Sequence, residues 1–310
     1  MKKRGYLELP FSWIFALIVG AFILFIAILL IVRITKTETS SSDIQTSKEI
    51  GILLNSLEIS YEEGVSNSIT LPQYSRIYSV CSNSGSFGNQ GIIVNEKLYN
   101  KWQKSYLQAS LQDQYLFLEN FSEGRVFYIF SKSFDFPFKV ATLTYFTPTT
   151  KSYCFVNPPY EIKTEISKID QDNLRVLGEN CTEDSLRICF SAVAQDCYVT
   201  VNYNQNYLIK NNTRFDYYKN ALMYAAIFSD KDLYECQVKR LIQRANSLVD
   251  IYEKKIFLSS YSDCSKDISS SLGLFSSYLD SFTKSKDFQT ASQILNDLNA
   301  KNQYSLCKLW

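Results

Sequence analysis

The chain contains no histidine among its 310 residues. Catalytic arrangements that depend on histidine, such as Ser-His-Asp and Cys-His, are therefore excluded within this chain. Histidine-ligated zinc and a histidine pH switch are excluded for the same reason. The absence restricts the possible mechanisms, but it does not point to a particular one.

Glycine and proline are also scarce, at 10 and 6 residues, whereas Tyr and Phe are abundant, at 22 and 21. This composition is able to fill a hydrophobic core, and it argues against long disordered tails. Lys and Arg number 32 and Asp and Glu number 31, which gives a formal net charge of +1. Because there is no basic excess, we expect no nucleic-acid partner.

A long uncharged run lies near the start of the chain, from Phe11 to Val32. At about 1.5 Å per residue, a helix of this length spans the ~30 Å hydrocarbon layer of a bilayer. No small-residue cleavage pattern follows it, so we interpret the run as a retained membrane anchor rather than a secretory signal. The alternative is a buried core helix, for which so long an uncharged run is atypical.

The charges that flank this run predict its orientation. Lys2, Lys3 and Arg4 precede the run, and Arg33 and Lys36 follow it. By the positive-inside rule, this bias places the N-terminus in the cytoplasm. Eight cysteines, an even number, favour an oxidising environment for the rest of the chain. We therefore predict a single-pass protein of the cell membrane whose C-terminal domain is extracytoplasmic.

The pattern of residues divides the chain into five segments. They are a cytoplasmic leader at 1–9, a transmembrane anchor at 10–33, a Ser/Thr spacer at 34–42, a mixed α+β region at 43–213 and a helical region at 214–310. The predicted fold class is α+β, with one N-terminal transmembrane helix, a mixed ectodomain region and a C-terminal helical region. A capping box at Ser42–Gln45 predicts a helix from there to about Leu57.

Runs rich in β-branched and aromatic residues predict strands in the mixed region. These runs lie at 75–80, 91–95, 125–131, 139–147, 152–157, 186–191 and 197–203. The helical spacing of Leu98, Trp102 and Tyr106 predicts a helix over 96–110.

Other periodic segments predict further helices. Pro158-Pro159 opens a short helix whose apolar face carries Ile162, Ile166 and Ile169. From Arg214 to the end, the pattern is helical. The predicted segments there are 214–228, 232–258, 267–283 and 287–301.

The cysteines divide unevenly between the two regions. The mixed region holds Cys81, Cys154, Cys181, Cys189 and Cys197, and the helical region holds Cys236, Cys264 and Cys307. Because both counts are odd, complete pairing requires at least one disulfide between the regions. The sequence leaves the connectivity open, and a reduced protein with buried cysteines is the alternative. Since there is no C-x-x-C pair and no histidine, we expect neither a metal nor another cofactor.

The first nine residues, Met1 to Leu9, resemble the class III signal of type IV pilin-like proteins. In that family a short basic leader is cut after a glycine, and an acidic residue near the new N-terminus aids helix packing. The resemblance implies that Gly5 is the cleavage glycine, Tyr6 the new N-terminus and Glu8 the acidic residue. From the residues themselves we expect an ordinary uncleaved anchor, and the intact mass of the purified protein separates the two.

Three longer stretches, at 130–146, 152–162 and 220–241, resemble uncharacterised single-pass exported archaeal proteins. The resemblance spans most of the ectodomain. It implies the same anchored, exported architecture, but it brings no known activity and therefore no catalytic residue.

Enzyme motifs are incomplete. Ser281 and Lys284 fit S-x-x-K, but the S-D-N and K-T-G motifs that accompany it in penicillin-binding proteins are missing. Carboxylates for glycoside hydrolysis are present, but their separation is not readable from the sequence. No catalytic residue is assigned on these grounds.

Two further patterns predict local structure rather than ligand sites. Gly85, Gly88 and Gly91 are spaced like a phosphate-binding loop, but no Lys-Ser/Thr follows them, so we predict an ordinary loop. Asp170–Asn173 lacks the next oxygen ligand and the glycine of a calcium loop, so we predict the end of a helix.

Three sequons have the form of N-glycosylation sites, and the predicted topology permits their use. Their acceptor residues are Asn120, Asn180 and Asn211.

Three classes of function remain open. The first, which we favour, is a structural or interaction protein of the cell envelope, anchored or pilin-like, that binds a protein partner at the cell surface. The second is a ligand-binding ectodomain that works with a membrane partner. The third is a hydrolase that uses carboxylates or a Ser-Lys pair. A broad exposed aromatic patch would favour the first class, and a cleft with convergent carboxylates would favour the third.

The orientation is tested by a Ser40→Cys variant, which places a thiol in the spacer. We expect this thiol to react with a membrane-impermeant reagent added to intact cells, because the flanking charges put the spacer outside. Labelling that occurs only after lysis would contradict the predicted topology.

Overall fold

A computed structural model describes most of the chain. The described residues are 13–33, 50, 66–104, 108–111, 113–177, 181–190, 196–258, 266–304 and 308–310. Within them, one helix is long and apolar enough to cross a membrane: α1, Trp13–Arg33, with a mean hydropathy of 3.3 and no buried residues in its most apolar stretch. The fold class is confirmed as α+β, with one such helix, mixed sheets and C-terminal helices. The helix predicted to end at Leu57 falls almost entirely outside the described residues.

The first sheet has seven strands. They are β1 (Asn67–Ser82), β2 (Asn89–Leu98), β3 (Lys101–Trp102), β4 (Ala109–Leu111), β5 (Tyr115–Phe117), β6 (Ser122–Asp135) and β7 (Lys139–Pro148). The strand order is β3-β2-β1-β6-β7-β5, and β4 pairs with β2. All of these pairs are antiparallel except β5–β7, which is parallel.

The helix predicted over 96–110 is wrong. Strand β2 continues to Leu98, the chain reverses at Tyr99 and Asn100, and β3 pairs back so that Lys97 lies opposite Trp102. Both turn residues have positive φ, 47° and 64°, as a two-residue hairpin requires. Helical spacing is a weak signal over so short a segment, and pairing with a neighbouring strand overrides it.

The second sheet has six strands and one crossing helix. They are β8 (Tyr153–Val156), α2 (Tyr160–Ile169), β9 (Leu174–Val176), β10 (Leu186–Cys189), β11 (Val199–Asn202), β12 (Tyr207–Lys210) and β13 (Thr213–Asp216). The strand order is β13-β12-β11-β10-β8-β9. Helix α2 connects the parallel strands β8 and β9, and it buries Ile162, Ile166 and Ile169, as its spacing predicted.

The C-terminal helical region is confirmed, but its predicted start at Arg214 is wrong. Arg214 lies in β13, which pairs with β12 across a turn at Asn211 and Asn212. These asparagines have φ of 49° and 58°, the conformation that favours Asn in tight hairpins. The helices of the C-terminal region begin at Lys219. They are α3 (Lys219–Phe228), α4 (Lys231–Leu258), α5 (Lys266–Ser281), a 3₁₀ helix (Ser285–Thr290) and α6 (Ser292–Tyr304).

One aromatic core joins the two sheets to the helices. Phe130 and Tyr145 from the first sheet have ring centroids 4.5 Å apart, and Tyr153 from the second sheet meets Phe228 of α3 at 5.1 Å. These side chains belong to a single buried cluster that continues into α4, α5 and α6. The regions before and after residue 214 therefore share their core.

Three disulfides lie within the described residues. Cys81–Cys236 joins β1 to α4 across a sequence separation of 155 residues. Cys154–Cys181 and Cys189–Cys197 close shorter loops on the second sheet, with separations of 27 and 8 residues. The first bridge is of the kind that the odd cysteine counts require. Cys264 and Cys307 lie outside the described residues.

We expect the Cys81–Cys236 bridge to stabilise the fold more than the Cys189–Cys197 bridge. In the chain-entropy model, closing loops of these lengths contributes about 5 and about 2.5 kcal/mol, respectively. Denaturant unfolding of the Cys81→Ala/Cys236→Ala and Cys189→Ala/Cys197→Ala double variants measures both losses in unfolding free energy. An equal or larger loss for the shorter loop would contradict the expectation.

Candidate interaction surface

Strand β1 carries an alternating pattern that separates a buried face from a solvent-facing one. Ser75 and Ile77 are buried. Arg76 and Tyr78, which alternate with them, are half-buried, and Tyr74 is exposed. Because successive side chains point to opposite faces of a sheet, the three polar and aromatic residues share the outer side. This side of the sheet is the candidate functional surface.

Arg76 is the centre of this surface. Its guanidinium carbon lies 4.4 Å from the ring centroid of Trp102 and 4.7 Å from that of Phe121, so it is stacked between two aromatic rings. The guanidinium pairs with Glu123, and Nη1 donates to the Tyr78 hydroxyl at 3.3 Å. The hydrogen bond to Tyr78 and the pairing with Glu123 raise the pKa of Arg76. The side chain is therefore held in one place.

Aromatic rings extend the surface on both sides of Arg76. Tyr74 and Trp102 have ring centroids 6.1 Å apart, and Tyr78 and Phe121 have centroids 5.9 Å apart. Tyr74 and Phe121 remain 38% and 43% exposed. We call this set the outer face. Its members are Tyr74, Arg76, Tyr78, Trp102, Phe121 and Glu123.

The composition of the outer face matches that of protein-binding surfaces. Tyr, Trp, Phe and Arg are enriched where proteins bind one another, and Trp, Tyr and Arg are the commonest hot-spot residues. Because Arg76 covers one face of Trp102 and one face of Phe121, these rings are less open to flat stacking by a sugar. Such an arrangement suits packing by protein side chains.

A second polar region surrounds Lys210 at the end of β12, beside a cavity of about 280 Å³. Lys210 is buried, and its Nζ donates to the carbonyls of Ala226, Ile227 and Ser229 at the C-terminal end of α3. Burial lowers the pKa of Lys210 to about 8. The ammonium satisfies carbonyls that a helix leaves without partners, so this lysine is a structural cap.

A third region is a cleft of about 490 Å³ that is lined by three carboxylates, Glu161 and Glu165 of α2 and Asp135 of β6. Asp135 Oδ1 accepts a hydrogen bond from the Ser133 hydroxyl at 2.9 Å. Glu161 accepts hydrogen bonds from Asn220 at 2.8 Å and from Tyr203 at 3.0 Å. Glu165 accepts them from Lys132 at 2.5 Å and from Tyr224 at 2.9 Å.

All four carboxylate oxygens of Glu161 and Glu165 are engaged by protein donors, which tie α2 to α3 and to β6. Burial, and then the hydrogen bond to Glu161, raise the pKa of Tyr203 to about 12. A carboxylate that acts as acid or base has to reach a substrate. The cleft is convergent, as a hydrolase would require, but Glu161 and Glu165 serve the packing of α2.

The other residues singled out in the sequence are spread over the molecule. Asn120 and Asn211 are exposed and border the Lys210 cavity, so both sequons are accessible on one side. Asn180 and the leader residues Gly5, Tyr6 and Glu8 lie outside the described residues.

The incomplete motifs have local structural roles. The Ser281 hydroxyl donates to the Tyr278 carbonyl at 2.8 Å, which is a helix-end contact. Gly88 lies in the loop between β1 and β2 with φ of 60°, where a Cβ would come within 2.8 Å of Arg240 Cγ. Asp170 ends α2 in the left-handed conformation, as predicted for a helix end. In the described part of the chain, no group of three or more Cys, Asp or Glu side chains is placed to hold a metal ion.

No pattern in the sequence assigned a functional or structural role in a site to Arg76, Trp102 or Lys210. The pairing of Arg76 with Glu123 joins residues on different strands, and no short-range pattern indicates it. Only the alternation along β1, with Tyr74, Arg76 and Tyr78 at every second position, hinted at a shared face.

Comparison with protein-family models, curated proteins and solved structures finds no match to this chain. The function must therefore be argued from the residues of the chain itself.

We expect the outer face to contribute little to stability and the Lys210 cap to contribute much. Arg76→Ala removes partly exposed contacts and should lower the unfolding free energy by about 1 kcal/mol. Lys210→Met leaves buried carbonyls without donors and should cost about 3 kcal/mol. Denaturant unfolding compares the two variants. Equal losses would mean that the outer face is part of the structural core.

Proposed function

We propose that the protein is a membrane-anchored, extracytoplasmic interaction protein of the cell envelope, which binds a protein partner through its outer face. The membrane-length helix α1 and the three disulfides are compatible with an exported, membrane-anchored protein. The orientation in this proposal, with the N-terminus in the cytoplasm, rests on the flanking charges.

The outer face is the observation that carries the proposal. Arg76 is fixed between Trp102 and Phe121, so its side chain has already lost most of its conformational freedom. Binding of a partner to it therefore costs little additional side-chain entropy. Glu123 compensates the charge of Arg76, Lys97 lies over the ring of Tyr74 at 5.8 Å, and the rings of Tyr74 and Phe121 remain exposed. A partner of matching chemistry presents apolar and aromatic side chains to these rings, with a polar rim.

The pilin-like form of the proposal adds that the leader is cut after Gly5 and that the helices of several copies pack together. It rests on the resemblance of the first nine residues, including Glu8, to class III signals. The outer face then belongs to the part of each copy that lies beyond the membrane.

The proposal is tested by photo-crosslinking in native membranes, with p-benzoylphenylalanine in place of Tyr74. A matched control carries it in place of Tyr160 on α2, which is 86% exposed. We expect one protein to be captured at position 74 and not at position 160. Because Trp102 supports the Arg76 stack, Trp102→Ala should reduce this capture at least severalfold, whereas Tyr160→Ala should not.

Capture alone does not support the proposal. The protein captured at position 74 must also bind the purified chain saturably, and this binding must weaken with Trp102→Ala while the Tm of the variant stays near that of the parent. Equal capture at both positions, or binding that is indifferent to Trp102, would refute the role of the outer face.

A further inference from the structure

The turn between β2 and β3 places a tyrosine where the backbone disfavours it. Leu98 pairs with Lys101, and the two residues between them, Tyr99 and Asn100, both have positive φ. Asn tolerates this conformation, but a residue with a bulky side chain does so only at a cost. Tyr99 is 99% exposed, so its ring gains no packing within the chain that would offset the strain. An uncompensated outlier of this kind indicates a role outside the fold.

Lysines surround this tyrosine. Residues 97–104 contain Lys97, Lys101 and Lys104 and no acidic residue. Lys101 and Lys104 are exposed, and Lys97 lies within 5.9 Å of the Trp102 ring centroid. We call residues 97–104 the hairpin tip. It combines positive charge with an exposed amphipathic ring.

The hairpin tip lies beside the N-terminal half of β1, because β2 runs antiparallel to β1 with Glu96 opposite Ser75.

We infer that the hairpin tip binds the anionic lipid headgroups of the membrane that holds α1. Tyr rings favour the boundary between headgroups and acyl chains, where the ring is in an apolar layer and the hydroxyl in a wet one. Lysines close to an anionic bilayer are attracted to its surface. The anchor keeps the tip at high local concentration near the bilayer, so a weak contact is sufficient.

Other occupants fit this tip less well. In a symmetric dimer through the tip, lysines of the two copies would face one another, which is unfavourable. The inference rests on the membrane anchoring in the proposed function, and the hairpin tip adjoins the partner-binding outer face, with which it shares Trp102. It orients the ectodomain on the bilayer and thereby fixes the direction in which the outer face is presented.

The test uses the full chain in lipid nanodiscs, with p-benzoylphenylalanine in place of Tyr99. A matched control carries it in place of Tyr304 on α6, which is 84% exposed. In nanodiscs of phosphatidylcholine with phosphatidylglycerol, we expect severalfold more lipid adducts by mass spectrometry at position 99 than at position 304. The excess should fall in phosphatidylcholine alone and at high salt, since screening weakens the attraction.

Charge variants give the second arm of the test. Lys101→Glu/Lys104→Glu should reduce the adducts at position 99 severalfold. Lys239→Glu/Lys254→Glu, which makes the same charge change at exposed sites on α4, should leave them unchanged. Tyr99→Asn should keep or raise the Tm, because it removes the backbone strain, and this outcome separates the role of the ring from folding.

Several results would overturn the inference. They are equal adducts at positions 99 and 304, adducts that persist in phosphatidylcholine alone, adducts to a second copy of the chain or to another protein, and a lowered Tm of Tyr99→Asn. A chain that fails to remain in the nanodisc would instead refute the anchoring, so the two failures are distinguishable.

Discussion

Helix α3 lies inside the molecule, where every residue from Ala221 to Phe228 is at most 4% exposed. A helix that is apolar on all sides has to be surrounded, and α3 packs against β6 and β7 of the first sheet and β12 of the second. Its large side chains each contribute about 2 kcal/mol through burial. The two sheets are held together because both cover the same helix.

Burial of α3 also determines where polar groups are needed. The Tyr145 hydroxyl donates to the Ala221 carbonyl at 2.7 Å in the first turn, and Lys210 caps the last one. Glu161 and Glu165 of α2 hold Asn220 and Tyr224 of α3. The Lys210 cap and the hydrogen bonds of Glu161 and Glu165 therefore serve α3, and this explains why all four oxygens of the two glutamates are hydrogen-bonded.

Because α3 covers only part of the first sheet, the half formed by β1, β2 and the start of β6 has an open side. A sheet face exposed to water normally carries polar side chains. Here it carries the aromatic rings around Arg76, and the turn beyond it exposes Tyr99. The aromatic outer face and the Tyr99 turn belong to the same sheet. The outer face supports the proposed partner binding and the turn supports the proposed contact with the bilayer, so a single sheet links the two proposed contacts.

The sequence by itself determined the features that depend on local periodicity and composition. The uncharged run became α1, the isoleucine spacing identified α2, and seven of the thirteen strands, β1, β2, β6, β7, β8, β10 and β11, were recognisable from their β-branched and aromatic residues. The odd cysteine counts required a bridge between the regions, and Cys81–Cys236 has that connectivity. Such signals are readable because neighbours along the chain produce them.

Tertiary structure alone decided the rest. Residues 97–102 became a hairpin because β3 pairs back on β2, and β13 formed at Arg214 because it pairs with β12. Arg76 meets Trp102 from one distant segment and Phe121 and Glu123 from another, and Lys210 meets the end of a helix that follows it. These contacts join residues that are distant in sequence, and no local pattern encodes which of many aromatic or charged side chains will be brought together.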